Sequence, residues 1–298
     1  MNLVTGGTGF IGAHVVRALL ARGRKVRCLV RSESRRSNLE GLNVEIAVGD
    51  VTDPASLAPA MQGVATVYHC AADYRLSVPD PRPLFECNVA GTENVMRAAS
   101  EAGVSRVVHT SSVGALGRTA DGTPATEETP VAPASLIGPY KRSKYEAERV
   151  AQHWAKRGLP VVIVNPSTPV GEFDVKPTPT GKMIVDFLNR RMPAYVDTGL
   201  NIVDVRDVAL RTRVLLKESE IRGLLAHTLS LSSDDADLPA STVLIDQMVA
   251  EERRIYERAM EREQRLYDLE ATAKELRAAA ADLARAAESL REGRVERR

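Results

Sequence analysis

Thr5-Gly6-Gly7-Thr8-Gly9-Phe10-Ile11-Gly12 follows directly on the β-branched run Asn2 to Thr5 and opens a helical pattern that continues through Ala13 and Val16. Glycines at 6, 9 and 12 allow a tight turn, let backbone N–H groups approach a pyrophosphate at a helix N-terminus, and let helix and strand pack closely. A glycine turn alone is a weak signal. With a strand before it and a helix after it, it becomes the opening of a dinucleotide-binding fold.

Further short β-branched runs, Lys25 to Val30, Val44 to Val48, Thr66 to Cys70, Arg106 to Thr110 and Val161 to Asn165, alternate with longer helical patterns. Alternation of this kind predicts an α/β fold with a doubly wound parallel Rossmann sheet. The runs are too short for periodicity to separate strand from buried helix, so flanking Gly, Pro and Asp decide. Residues 1–165 are expected to form the NAD(P)-binding domain. Beyond them, Pro166, Pro169, Pro177, Pro179 and Gly181 precede one helical pattern and a Val-Asp-Val-Arg-Asp-Val segment. Residues 166–229 are expected to form a partial substrate lobe, in which Asp204 and Asp207 read as helix-start residues.

Dinucleotide folds commonly place a carboxylate at the end of the second strand to hold the adenosine ribose, whereas Val26-Arg27-Cys28-Leu29-Val30 ends in Arg31. Arg35 and Arg36 follow within reach of the same point. An adenosine 2′-phosphate suits this cluster, so NADP(H) is the expected cofactor and NAD(H) the alternative; the bland reading is a solvated surface cluster. Thr5, Gly6, Gly9, Phe10, Ile11 and Gly12 would line the turn, Asp50 and Val51 the adenine edge, and Ala71 and Ala72 the pyrophosphate.

Three features converge on the carboxyl ends of the later strands: Thr110-Ser111-Ser112, Tyr140-Lys141-Arg142-Ser143-Lys144 and Asn165-Pro166-Ser167. Ligands of open parallel sheets sit at these ends. Tyr140 and Lys144, four apart, share a helical face, so the ammonium is expected to depress the phenol's pKa and fit it for proton transfer. Ser112 would hydrogen-bond the same substrate oxygen and stabilise the charge that develops on it. Asp73 and Tyr74, after the fourth strand, are equally suited to substrate contact and to loop capping. His69 reads as a satisfied core histidine, and no metal constellation is visible.

The glycine turn, the paired serines and the Tyr-x-x-x-Lys helix resemble the extended short-chain dehydrogenase/reductases, the NAD-dependent epimerase/dehydratase group, over residues 1–209. His69-Cys70-Ala71-Ala72-Asp73-Tyr74-Arg75-Leu76, Asn88-Val89-Ala90-Gly91-Thr92 and the stretch from Asn165 through Gly181 are most similar to hopanoid-associated sugar epimerases and dihydroflavonol-reductase-like proteins. The resemblance implies that Ser112, Tyr140 and Lys144 are catalytic and that Lys144 also holds the nicotinamide ribose. It implies too that Pro166 orients the nicotinamide amide, that Ser167 meets substrate, and that Asn88 braces the helix. Sugar dehydratases of the group carry acidic side chains just after the serine strand, where this chain has Val113, Gly114 and Ala115. That leaves an oxidoreductase acting on a sugar- or dihydroflavonol-like molecule, with epimerisation as a further option; Arg31 favours the net reductant.

Beyond residue 210 the resemblance ends. Eighteen of the twenty glycines and fifteen of the sixteen prolines lie before that point, whereas residues 251–298 carry twelve acidic and twelve basic side chains in a helical pattern. A Ser/Asp-rich linker is expected at 230–241 and a long heptad helix at 242–298. Its seam runs from Met248 through Ile255, Leu266, Leu276 and Leu283 to Leu290, and so predicts a homo-oligomer. A cofactor-binding scaffold joined through this helix is therefore the alternative to an enzyme.

Forty basic against thirty-nine acidic residues leave a formal charge of +1, which gives no field to attract nucleic acid. The absence of a long apolar run and a first strand beginning at Asn2 lead to the expectation of a cytoplasmic protein with no membrane span. Cys28, Cys70 and Cys87 are odd in number and widely spaced, and are expected to be free thiols.

Overall fold

The computed structural model describes residues 1–119, 123, 125–192 and 200–214. The expected linker at 230–241, the heptad helix at 242–298 and the last part of the expected lobe lie outside the described residues.

The chain begins β1 (Asn2–Thr5), α1 (Phe10–Leu20), β2 (Val26–Val30), β3 (Glu45–Val48), α2 (Pro54–Ala60) and β4 (Thr66–His69). Next come α3 (Arg82–Phe85), a π-helical turn (Glu86–Ala90), α4 (Gly91–Glu101), β5 (Arg106–Thr110), α5 (Pro139–Lys156) and β6 (Val161–Val164). The last described elements are β7 (Thr168–Val170), α6 (Pro179–Leu188), β8 (Ile202–Asp204) and α7 (Val205–Val214). Six parallel strands form one sheet in the order β3-β2-β1-β4-β5-β6, so the winding reverses between β1 and β4. A ligand of such a sheet binds at that switch point, at the carboxyl ends of the strands. The expected strands agree with the observed ones to within a residue at each end.

Helices lie on both faces of the sheet, which is why its central strands are buried on both sides and do not alternate apolar with polar residues. Leu3, Val67 and Val107 point to one side, where they join Leu57 of α2, Met96 of α4 and Trp154 of α5. Their neighbours Val4, Tyr68 and Val108 point to the other, with Val15 and Val16 of α1 and Ala209 of α7. Sequence reading assigns α7 to the substrate lobe. In the structure this helix packs against α1 and buries Val205, Val208 and Ala209.

The segment between β7 and β8 is different. Thr178 accepts a hydrogen bond from the Gly181 N–H (3.1 Å) and Pro179 starts α6, but no residue of α6 is buried. β7 and β8 form a separate two-stranded parallel sheet. Asp204 accepts a hydrogen bond from the Arg206 N–H (2.7 Å) just ahead of α7, the helix-start role expected of it. Among the described residues, no helix is long and apolar enough to cross a membrane.

Candidate active site

The glycine turn is built by close backbone approach. Gly6 has φ +71°, and a Cβ there would lie 2.7 Å from the Ala71 nitrogen. A Cβ on Gly12 would lie 2.1 Å from the Gly6 carbonyl oxygen, so the first turn of α1 can rest on the loop only as glycine. Gly9 heads α1 with no side-chain cap. The N–H groups of a helix's first turn lack intrahelical partners, so this end, carrying Phe10 and Ile11, suits a phosphate. Thr5 does something else: its hydroxyl meets His69 Nδ1 (2.7 Å) and accepts the Ala71 N–H (3.3 Å), joining β1 to β4.

Arg31, Arg35 and Arg36 all lie exposed beyond β2. Glu33 forms an ion pair with Arg31 at 3.3 Å, a partner that strand-end reading passes over. Asn38, also unremarked in the sequence, is buried and donates to the carbonyls of Thr8 and Phe173, each at 3.1 Å. His14 meets the Glu172 carbonyl at 2.9 Å, so two side chains hold the loop before α6 against the glycine turn. Asp50 accepts hydrogen bonds from the backbone and hydroxyl of Thr52, both at 2.9 Å. Val51 is buried against Gly91, while Ala71 and Ala72 are half-buried behind Gly6.

Ser112, Tyr140 and Lys144 meet across the ends of β5 and α5. The Ser112 hydroxyl accepts the Gly114 N–H (3.1 Å) and lies near enough to the Tyr140 phenol to influence its pKa. Lys144 is buried and its Nζ donates to the Thr110 carbonyl at 2.8 Å. The pKa expected of the phenol is corrected here. Burial pushes Tyr140 above its ordinary value, and the nearby Ser112 hydroxyl opposes this only in part. Burial also lowers Lys144, to about 8. Desolvation outweighs the pair's four-residue spacing, because a charged form buried in apolar surroundings loses its hydration.

Two histidines lie beside Lys144. His69 is satisfied by Thr5 and by the Thr92 hydroxyl (3.0 Å), as a core histidine should be, and burial lowers it to about 3. His109, 5.3 Å away between ring centroids, has no hydrogen-bond partner on either nitrogen among the described residues. Burial and the Lys144 charge hold it well below the usual imidazole range. The three cysteines are free thiols, Cys28 pushed up by burial to about 12 and Cys70 to about 11. Among the described residues no three metal-ligating side chains gather.

Asn88 accepts the Asp73 N–H (2.7 Å), donates to the Asp73 carbonyl (2.9 Å) and donates to Ser143 (2.9 Å). Ser143 in turn donates to the Tyr140 carbonyl at 2.8 Å, so Asn88 ties the loop after β4 to the helix that carries the tyrosine. The Asp73 carboxylate is forked by Arg75, and Tyr74 donates to the Lys176 carbonyl at 3.1 Å. Both thus fill loop-holding roles at the rim. Pro166 accepts the Val113 N–H at 3.0 Å, and Ser167 is the half-buried residue that leads into β7. Sequence reading also misses Glu148, a buried carboxylate one turn beyond Lys144.

Comparisons with known proteins agree with this fold. "Putative dihydroflavonol 4-reductase" from Synechocystis is 52% identical over 206 residues, covering 69% of this chain and 60% of that protein. "Sterol demethylase protein B" from Methylococcus capsulatus is 44% identical over 222 residues, or 74% of this chain and 67% of that one. The crystal structure of gox2253 is similar with a TM-score of 0.68 at 56% identity, covering 70% of this chain and 64% of that chain. UDP-glucose 4-epimerase from Thermus thermophilus, in complex with NAD, gives 0.62 at 29% identity, with 72% and 75% covered. The chain therefore spans less than two thirds of the length of the Synechocystis protein. A model of the NAD dependent epimerase/dehydratase family matches residues 2–220, about three quarters of the chain, and the chain belongs to that family.

Proposed function

We propose that the chain is an NADP(H)-preferring oxidoreductase that moves hydride between the cofactor and a hydroxyl or carbonyl carbon of a small sugar- or dihydroflavonol-like molecule. The observation that carries this reading is the approach of Ser112 to a half-buried, protonated Tyr140, one helical turn from the buried Lys144, at the carboxyl ends of the strands. The uncapped N-terminus of α1, where no Cβ intrudes, fits a pyrophosphate. Asp50 and Val51 would hold the adenine edge, Ala71 and Ala72 the pyrophosphate, Lys144 the nicotinamide ribose and Pro166 the amide. When bound, NADPH supplies the hydride.

The chain's own residues do the rest. The Ser112 and Tyr140 hydroxyls bind the carbonyl oxygen and polarise it. Tyr140 then gives its proton to the oxygen as the C–H bond forms, and the Lys144 ammonium stabilises the phenolate left behind. A phenol raised by burial stays protonated at neutral pH, which suits an acid better than a base. This favours reduction, as does Arg31, and the nonacidic Val113, Gly114 and Ala115 disfavour elimination of water. Asp73, Tyr74 and Ser167 would border the substrate. The heptad seam beyond residue 242 supports self-association as a homo-oligomer, read by light scattering of the parent and of the Leu276→Glu/Leu283→Glu variant.

Calorimetric titration with NADPH and NADH tests the cofactor. Tighter NADPH binding is expected, reduced by Arg31→Asp and increased by Glu33→Gln, which frees Arg31 from its ion pair. Equal affinities in the parent would refute the preference.

A further inference from the structure

Tyr140, Lys144 and Glu148 stand at four-residue intervals on one face of α5, and each meets one of three consecutive residues at the end of β5. Tyr140 lies near Ser112, Lys144 donates to the Thr110 carbonyl at 2.8 Å and Glu148 accepts from Ser111 at 2.6 Å. Side chains at this spacing lie one above another along a helix. This helix face therefore lies over residues 110–112.

Glu148 makes the densest of these contacts. Its Oε2 accepts from the Ser111 hydroxyl at 2.6 Å and from Asn165 Nδ2 at 2.7 Å, and its Oε1 accepts from Gln152 at 3.3 Å. The same Asn165 nitrogen donates to the Ser112 carbonyl at 3.1 Å. One carboxylate, 7% exposed, thus joins α5 to the ends of both β5 and β6 and fixes the backbone that aims the Ser112 hydroxyl.

The surroundings of Lys144 give that carboxylate a second task. His69 from β4, Cys70 just after it, Cys87 from the π-helical turn, His109 from β5 and Glu148 from α5 are the titratable groups that act on the amine. Burial keeps both imidazoles and both thiols uncharged near neutral pH. Tyr140, one turn back, is protonated as well. Glu148 is the carboxylate of this set. A buried charge stripped of its partner is strongly destabilising.

We propose that Glu148 is a positioning residue for the Ser112–Tyr140–Lys144 group, holding residues 110–112 and Asn165 in place and supplying the counter-charge for the Lys144 ammonium. Its catalytic meaning rests on the oxidoreductase reading above. Its structural and electrostatic parts do not.

The test compares Glu148→Gln, which keeps an acceptor and removes the charge, with Ser111→Ala, which removes one contact and keeps it. Lys144 is followed by NMR on protein carrying ε-13C-lysine, its signal assigned by its loss in Lys144→Met. In Glu148→Gln the titration midpoint should fall below the parent's value of about 8, and in Ser111→Ala it should stay. An unmoved midpoint in folded Glu148→Gln, or an equal shift in both variants, overturns the proposal. Thermal melting supplies a second arm. Glu148→Gln/Lys144→Met should melt higher than the sum of the single effects, and should fold even if Glu148→Gln alone does not. Additive losses, or a double variant no better than Glu148→Gln, overturn it equally.

With a carbonyl substrate and NADPH, Glu148→Gln should lower kcat by ~10- to 100-fold, as misplacement of a reacting group does, while the dissociation constant for NADPH changes less than about twofold. A proportionate loss of cofactor binding would assign Glu148 to the cofactor instead. If the parent reduces no carbonyl, the oxidoreductase reading fails while the titration and melting arms still decide the role of Glu148.

Discussion

The six-stranded body and the arm that carries α6 are made of similar apolar residues put to opposite use. In the body, Leu3, Leu57 and Met96 are wholly buried in the core between sheet and helices. On α6, Phe187 and Leu188 are 68% and 73% exposed, and Val185 is nearly half exposed. The body's strands and helices find their complements within the sheet's own two layers, so its core closes on itself. α6 presents an apolar stripe with no cover among the described residues. An apolar periodicity states that a face is to be buried; it does not state against what.

Substitutions can break this comparison or sharpen it. The largest effect belongs to the body: Tyr140→Phe removes the proton donor and should cut reduction by ~100- to 10,000-fold while NADPH affinity stays near the parent's. Steady-state kinetics beside a cofactor titration checks it, and near-parental turnover would remove Tyr140 from its role. Leu57→Ala should cost ~2–5 kcal/mol of unfolding free energy through lost burial and a residual cavity. By contrast, Phe187→Ala should stay within ~0.5 kcal/mol, as an exposed substitution does. Urea unfolding compares the two, and a loss at Phe187 as large as that at Leu57 would show that α6 is packed as firmly as the body.

A subtler contrast lies in pH. Lys144 titrates near 8 when folded, below its ordinary 10.5, so the unfolded chain holds this proton more tightly. The cost of burying the ammonium is therefore complete below pH 8 and relieved as pH rises from about 8 towards 10.5, at ~1.4 kcal/mol per unit. The stability of the parent relative to Lys144→Met should climb through that window. Taking the difference cancels the opposing terms from Tyr140 and the thiols, and a flat difference would refute the assignment.

The positions of the six strands and the glycine turn were legible because each is written in contiguous residues, and the order in which the strands pair was not. The direction of the Tyr140 pKa was not legible either, because spacing reports which groups are neighbours and not how dry their surroundings are. β7 and β8 each have three residues, too few for any period to show. Glu148 and Asn165 look like ordinary polar residues in the chain and acquire their roles only where β5, β6 and α5 end together. The fork of Asp73 by Arg75 is likewise visible only in the geometry, since an Asp after a strand serves a ligand or a loop equally well.

The amide of Asn38 carries a consequence for the order of folding. Its bond to Thr8 spans 30 residues and its bond to Phe173 spans 135, so the second closes a far longer loop than the first. Contacts that close such long loops come after local ones, because the chain entropy has to be surrendered first. Asn38 is therefore a latch expected to form late: its amide protons would report the moment at which the loop before α6 closes on the glycine turn.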